Sequence, residues 1–310
     1  MDYDIVIVGG GPGGLTAGLY AARGDMKTLL MEKLIPGGQA ATTYWIDNYP
    51  GFVDGVSGPQ LMMSMKDQAA RFGLEIQTDE VKDLEVLEDG FAVVGQTGRY
   101  TAHAVIIASG ATVAQLGVPG EEKLRGKGVS YCATCDGAFF RDEDLVVVGG
   151  GDAAVEEGMF LTKFAKKVYL VHRRDRLRAA KAIQEKAFKN EKMEFIWDSV
   201  VEEILGEQAV EGVRLKNLKT EETRELPCKG VFIYVGNIPN SQFLRGKVEM
   251  DDRGYILTND NMETSIKGVF ACGDVRKKAL RQVVTACGEG ATAAFSAQQF
   301  VEEKMGIAYK

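Results

Sequence analysis

The sequence predicts an α/β protein made of two copies of one folding unit, the second inserted in the first. Three observations predict it. Ile5-Val6-Ile7-Val8 and Leu145-Val146-Val147-Val148 are short, continuous apolar runs, as expected of strands buried on both faces. Each is followed by a small-residue turn: Gly9, Gly11 and Gly14 after the first, Gly149, Gly151 and Ala154 after the second. One offset of 140 carries Gly9, Gly11, Gly14 and Glu32 onto Gly149, Gly151, Ala154 and His172. A shared offset at four positions is the mark of internal duplication.

The first unit opens with the strand Ile5–Val8, a helix from Leu15 to Arg23 and a second strand, Thr28–Met31, that ends in Glu32. A G-x-G-x-x-G turn between strand and helix lets a pyrophosphate approach the helix N-terminus. An acid at the end of the next strand accepts hydrogen bonds from a ribose. In that context the motif predicts a Rossmann-like, dinucleotide-binding domain. Residues 33–64 break the alternation with Pro36-Gly37-Gly38-Gln39 and Asp47-Asn48-Tyr49-Pro50-Gly51. Such turn-rich stretches are either a surface excursion or a loop wrapping a large cofactor. A helix follows over Leu61–Phe72, then short strands across 74–107 that end in the buried run Ala104–Ala108. Pro119-Gly120 and the charged residues 121–127 predict a linker.

The second unit repeats the pattern: strand 145–148, helix 155–164, strand Val168–Val171, then strands and turns over 194–226 and the buried run Val231–Val235. Where the first unit has Glu32, the second has His172-Arg173-Arg174, with Arg178 further on. Arginines at this strand end suit a ribose 2′-phosphate through bidentate pairing, so the second site is expected to take NADP(H) rather than NAD(H). A solvated basic patch is the alternative for such a cluster. Residues 264–274 contain one more buried strand, Val269–Cys272, followed by an Ala-rich helix over about 283–303. With no nucleotide motif of its own, this tail is expected to complete the first domain. The expected layout is two Rossmann-like (three-layer ββα) dinucleotide-binding domains, one of residues 1–115 and 242–310, the other of residues 116–241.

Between the two units lies Cys132-Ala133-Thr134-Cys135-Asp136-Gly137. A Cys-X-X-Cys pair suits thiol–disulfide exchange, because one thiol is readily shifted toward the nucleophilic thiolate. Half of a zinc site is the alternative, but that needs a second nearby pair. Cys228, Cys272 and Cys287 are scattered, and His103 and His172 are the only histidines. No metal is expected, and the three remaining cysteines are expected as small core residues.

The chain has 310 residues, enough for about two domains. It carries a net charge of −7 and no basic run, which argues against nucleic acid. No apolar stretch is long enough to span a membrane, and no leader precedes the first strand. Five cysteines make no secreted disulfide framework, so a reducing cytoplasm is expected.

In order and spacing these motifs resemble the low-molecular-weight thioredoxin reductases, the bacterial and plant type, along essentially the whole chain. The resemblance is carried by Cys132–Gly137 placed before Val148-Gly149-Gly150-Gly151, by Val171-His172-Arg173-Arg174-Asp175, by Gly273-Asp274-Val275, by Arg281-Gln282-Val283-Val284-Thr285-Ala286, and by Gly38-Gln39 followed by Asn48. It implies FAD in the first domain. The phosphates would lie at Gly9, Gly11, Pro12, Gly13 and Gly14 and the ribose at Glu32. Lys33, Gly38, Gln39 and Asn48 would lie along the cofactor, Val81 at the adenine and Gly110 near the flavin. Gly273 and Asp274 would meet the ribityl chain, with Arg281, Gln282 and Val283 beside the ring. It implies NADPH in the second domain, on Gly151, Asp152, Ala153, Ala154, His172, Arg173, Arg174 and Arg178. Asp152-Ala153-Ala154 lacks a hydroxyl found in many relatives, which touches one phosphate hydrogen bond.

The implied activity is NADPH-dependent reduction of thioredoxin through FAD and a Cys132–Cys135 disulfide. Cys135 would face the flavin, Cys132 would attack the partner, and Asp136 would exchange protons. The resemblance also implies a homodimer. Because cysteines and nicotinamide share one domain and both need the flavin, the second domain is expected to rotate about linkers near 112–120 and 239–246. The same electron path to another acceptor stays as the alternative: a peroxidase-system protein, a small dithiol oxidised with oxygen, or a ferredoxin-driven variant. The arginines argue against ferredoxin, and the lack of a thioredoxin-like segment before Asp4 argues against a peroxidase system. A non-catalytic redox sensor is disfavoured by the intact Cys132, Cys135 and Asp136.

Overall fold

The computed structural model describes residues 1–43, 46 and 48–307, and their side chains except those of Thr134 and Cys135. The chain divides into two compact units, Met1–Thr112 with Ile238–Lys310, and Val113–Asn237.

In the first unit the strand Tyr3–Val8 lies between two parallel neighbours, Thr28–Glu32 and Arg99–Ile107. Glu75–Thr78 and Val269–Ala271 extend the parallel part at either side. The long strand Arg99–Ile107 serves two ladders. Its C-terminal half pairs with Tyr3–Val8 and Val269–Ala271, and its N-terminal half pairs antiparallel with Gly90–Gly95. Val81–Leu87 completes that meander. Period-two alternation explains the layers. Ile5 and Ile7 face a core shared with Leu15, Ala17 and the Ala-rich stripe Ala293, Ala294 and Ala297 of the helix Val283–Met305. Val6 and Val8 face the opposite core, with Leu84, Phe91 and Val93 of the meander. Each strand residue of the apolar run is therefore buried on one side or the other, which is why the run shows no polar alternation.

The second unit repeats this. Its parallel sheet runs Met193–Ile196, Lys167–Val171, Asp144–Gly149, Gly230–Tyr234, Val129–Ser130. Val146 and Val148 face the core under the three-stranded meander Ser199–Leu205, Gly212–Asn217, Thr223–Pro227. Leu145 and Val147 face the helix Asp152–Leu161. The chain passes from unit to unit through the strands Ala111–Val113 and Asn237–Pro239, which pair with each other.

Residues 119–127, expected as a linker, belong to the second unit and are anchored to it at two buried positions. Leu124 is fully buried and Glu121 nearly so. The Glu121 carboxylate accepts the Leu116 and Gly117 amides at 2.9 and 2.7 Å and the Tyr131 hydroxyl at 2.7 Å. A Pro-Gly turn flanked by charges looks solvated until a carboxylate is found answering three donors. Leu244, within the second expected linker, is likewise fully buried in the first unit's meander-side core.

Candidate nucleotide-binding and redox sites

Both units carry the same strand–turn–helix device. Gly9 has φ +107°, and a Cβ there would stand 2.4 Å from the Ala108 carbonyl oxygen. Gly11 caps the helix Pro12–Arg23 with no side-chain cap, Pro12 sits at its first position, and no acid lies in its first turn. The leading amides are therefore free to meet an anion. A Cβ on Gly13 would come within 3.2 Å of the Ala286 carbonyl oxygen, and one on Gly14 within 1.9 Å of Gly9 O. Gly149 (φ +154°) and Gly151 repeat the turn before the helix Asp152–Leu161, and Ala154 packs where Gly14 does.

In the first unit, Glu32 Oε2 accepts the Gly10 amide at 2.8 Å and Oε1 accepts the Leu34 amide at 3.2 Å. The carboxylate is thus fixed at the mouth of a cleft of about 480 Å³ lined also by Lys33, Val81, Ser109 and Asn240. Gly38 (φ +57°) backs onto Gly11. Gln39 donates its amide to the Ala111 carbonyl. Asn48 donates to the Gln282 side chain at 2.9 Å, joining two expected residues far apart in sequence. Gly110 (φ +68°) accepts the Asn240 amide at 2.9 Å. Gly273 (φ +75°) turns the chain into Asp274, whose Oδ1 is buried without a hydrogen-bond partner. Arg281 stacks over the Tyr255 ring at 4.4 Å, and Val283 begins the last helix. Burial holds the Asp274 carboxyl above the usual carboxylate range, opposed by Lys278 and Arg281. A glycine cradle open to phosphates, a ribose acceptor and the partly exposed Asp274 carboxylate fit a flavin dinucleotide.

In the second unit, the buried His172 ring occupies the place a Cβ on Gly150 would need, within 2.3 Å. Its Nε2 lacks a hydrogen-bond partner. Burial, then Arg178, hold its pKa below the ordinary value. Arg173, Arg174 and Arg178 are exposed. The backbone of Arg178 donates to Gly150 O at 2.7 Å, and Asp152 accepts the Ala180 amide at 2.7 Å, tying the arginine loop to the glycine turn. Ala153 is exposed on the helix's first turn. Uncapped amides beside exposed guanidinium groups and a neutral imidazole fit a dinucleotide bearing an extra phosphate.

The redox stretch lies on this unit. Cys132 is disulfide-bonded. It immediately precedes the one-turn helix Ala133–Asp136; the side chain of Cys135 lies outside the described residues. The Ser130 hydroxyl donates to Asp136 Oδ2 at 2.6 Å and accepts the Cys132 amide at 3.0 Å. Tyr234 Oη accepts the Ala133 amide at 2.7 Å. Ser130 and Tyr234 were not legible as site residues, because a lone serine and a strand-end tyrosine carry no motif. Nor were Lys278 and Glu289, which face Asp274, or Arg276, which pairs with Glu289. Among the described residues no cluster of His, Cys, Asp and Glu is placed to hold a metal, and no helix is long and apolar enough to cross a membrane. Cys228, Cys272 and Cys287 are free and buried, and burial pushes Cys228 and Cys272 up to about 12, which makes those two inert packing groups.

Two dinucleotide turns and a disulfide define a flavin- and nicotinamide-type disulfide oxidoreductase, and the chain belongs to the pyridine nucleotide-disulphide oxidoreductase family, whose model it matches over residues 3–290. Within that family it groups with the thioredoxin reductases. It is 51% identical over 306 residues to the thioredoxin reductase of Peptoclostridium acidaminophilum, covering 97% of each chain. It is 49% identical over 302 residues to that of Bacillus subtilis, covering 97% of this chain and 95% of the other. The crystal structure of Lactococcus lactis thioredoxin reductase is similar with a TM-score of 0.88 at 47% identity, over 97% of this chain and 99% of that one.

Proposed function

We propose that this chain uses NADPH to reduce the disulfide of thioredoxin, through FAD in the unit Met1–Thr112 with Ile238–Lys310 and a Cys132–Cys135 pair in the unit Val113–Asn237. The observation that carries the reading is the disulfide-bonded Cys132 joined through Ser130 to Asp136, in the same unit as the arginine-flanked nucleotide turn. FAD, when bound, would supply the two-electron relay between the nicotinamide and the disulfide. Glu32, the Gly9–Gly14 turn and Asp274 hold the flavin nucleotide. The Gly149–Ala154 turn, His172 and Arg173, Arg174 and Arg178 hold NADPH.

The rest is thiol chemistry on this chain. The Cys132 thiolate attacks one sulfur of the partner's disulfide and forms a mixed disulfide, and the partner's other sulfur leaves as a thiolate. Asp136, oriented by the Ser130 hydroxyl, takes the Cys132 proton as the thiolate forms and gives it to the leaving partner thiolate. Cys135 then attacks Cys132, which re-forms the internal disulfide and frees the second partner thiol. A thioredoxin couple near about −270 mV is a thermodynamically suitable acceptor. The active form is a cytoplasmic homodimer, and turnover requires the second unit to rotate, so a cross-link between units should stop it. The deciding experiment is anaerobic: the purified protein should be yellow, bleach on adding NADPH, and regain colour with oxidised thioredoxin. A colourless protein, or one that bleaches but ignores thioredoxin, would overturn the reading.

A further inference from the structure

Behind the Gly273–Asp274 turn lies a buried set of charges with no assigned role. Glu289, on the helix Val283–Met305, accepts the Gly273 amide at 2.8 Å through Oε2. Its Oε1 pairs with Arg276 at 2.9 Å and with Lys278 at 3.1 Å. Arg276 is itself fixed by donating Nε to Thr258 at 2.8 Å. The Lys278 side chain is 5% exposed, and its ammonium lies 3.7 Å from Asp274 Oδ1. Neither of those two atoms has a hydrogen-bond partner, and both are closed to solvent. The Asp274 side chain as a whole remains 34% exposed. One carboxylate oxygen therefore points inward at Lys278, and the other is left outward.

We propose that Lys278, braced by Glu289, is a positioning residue for Asp274: it draws Oδ1 inward and so presents Oδ2 to a hydroxyl of the bound flavin cofactor. This rests on the FAD reading above. A long lysine side chain buried among carboxylates is costly unless its charge is used, and here it is the cation nearest an otherwise unanswered oxygen. Two further features support it. The amide of Gly273 is bonded to the same carboxylate that holds Lys278, so the turn and the ammonium share one anchor. Burial, and to a smaller extent Glu289, raise the Asp274 pKa, and Lys278 is the largest influence that opposes them.

The charged groups facing Asp274 are Lys278 and Arg281 on its own segment and Glu289 on the last helix. The packed helix Pro12–Arg23 has no acidic residue in its first turn, and the Cys272 thiol is pushed up to about 12 and does not titrate in the working range. Removing Lys278 should let Asp274 take a proton at a higher pH. A protonated Asp274 accepts less well from a cofactor hydroxyl.

The test is the rate at which full-length holoenzyme loses FAD on dilution, followed by flavin fluorescence across pH. Lys278→Met should release FAD about 10-fold faster near neutral pH, with the pH at which release accelerates moved upward. Lys278→Arg, which keeps the charge, should restore the native midpoint, and it carries the test if Lys278→Met does not fold. In an Asp274→Asn background, Lys278→Met should add nothing, because its effect passes through Asp274. An unchanged release profile, a speed-up equal at every pH, or a full additional effect in the Asp274→Asn background would each overturn the proposal. Native protein that carries no flavin would instead overturn the FAD reading, before any variant is compared.

Discussion

In the first unit the Gly10 amide donates to Glu32, and Gly10 O accepts the Gly37 amide at 2.7 Å. In the second unit the His172 ring packs against Gly150, and Gly150 O accepts the Arg178 amide at 2.7 Å. The two turns are anchored alike, by the strand-end side chain beneath and by the following loop above. Gly37 lies five residues after Glu32, and Arg178 six after His172. The scaffold is therefore held constant while one strand end and one loop residue are changed. A fixed carboxylate makes a hydroxyl acceptor. A buried imidazole, its pKa held low, beside three exposed guanidinium groups makes a phosphate site. On the proposed reading, nucleotide choice would sit outside the glycine turn, which would supply only the pyrophosphate cradle.

The largest expected effect tests what the turn itself tolerates. A methyl on Gly14 would lie 1.9 Å from Gly9 O, a backbone atom that cannot step aside. The second unit already carries a methyl there, on Ala154. Gly14→Ala should cost about 3 kcal/mol by overpacking and leave the purified protein short of flavin. Ala154→Gly should cost about 1 kcal/mol, the price of a glycine inside a helix. Urea unfolding and flavin content measure both. Equal effects would mean that the two turns are not packed differently after all.

Next is the strand end of the second unit. Replacing Arg173 and Arg174 together by Ser should raise KM for NADPH about 10- to 100-fold, through lost charge-assisted hydrogen bonds to the 2′-phosphate. The kcat should change little, since that binding is uniform between ground and transition states. The KM for NADH should barely move. Parallel losses with both coenzymes would show that the arginines shape the loop and do not read the phosphate. The matching change in the first unit, Glu32→Gln, should weaken FAD about 10-fold. The Gly10 amide can still be answered by the glutamine oxygen, so thermal stability of the flavin-free chain should hold.

How much of this was legible in the sequence divides along the same line. Glycines and strand-end residues announce themselves, because backbone that must pass close to a ligand or to other backbone tolerates few residue types, and their spacing survives duplication. Charges that act from distant segments do not. Glu289 sits between Gly288 and Gly290 in an Ala-rich helix. Gly290 is there because a Cβ would stand 2.2 Å from Gly13 O. That close crossing carries Glu289 to the Gly273 turn, and nothing local states which turn it meets. Arg276 and Lys278 look like ordinary loop charges for the same reason. Glu121 was hidden likewise: its three donors come from Leu116, Gly117 and Tyr131, and only the folded turn brings them together.

The smallest expected effect concerns the helix behind each turn. At the offset of 140, fully buried Ala17 in the first unit corresponds to Glu157 in the second. Glu157 Oε2 is buried without a hydrogen-bond partner, and burial, then Glu156, push its carboxyl from 4.5 to about 7. The neighbouring Tyr234, which accepts the Ala133 amide beside Cys132, feels the same carboxylate. A raised carboxyl pKa means that the folded state binds the proton more tightly than the unfolded state. Its stability is then complete below pH 4.5, falls as pH rises toward 7, and stays lower above. Glu157→Gln removes that loss. The variant should be more stable than the native chain by about 1 kcal/mol near pH 8, after allowance for solvent screening, with the gap closing toward acid. Urea unfolding at both ends of that range reads it directly. Unfolding curves that stay parallel at every pH would mean that Glu157 is ionised in the fold at no cost, and that the second unit can bury at this position what the first replaces with a methyl.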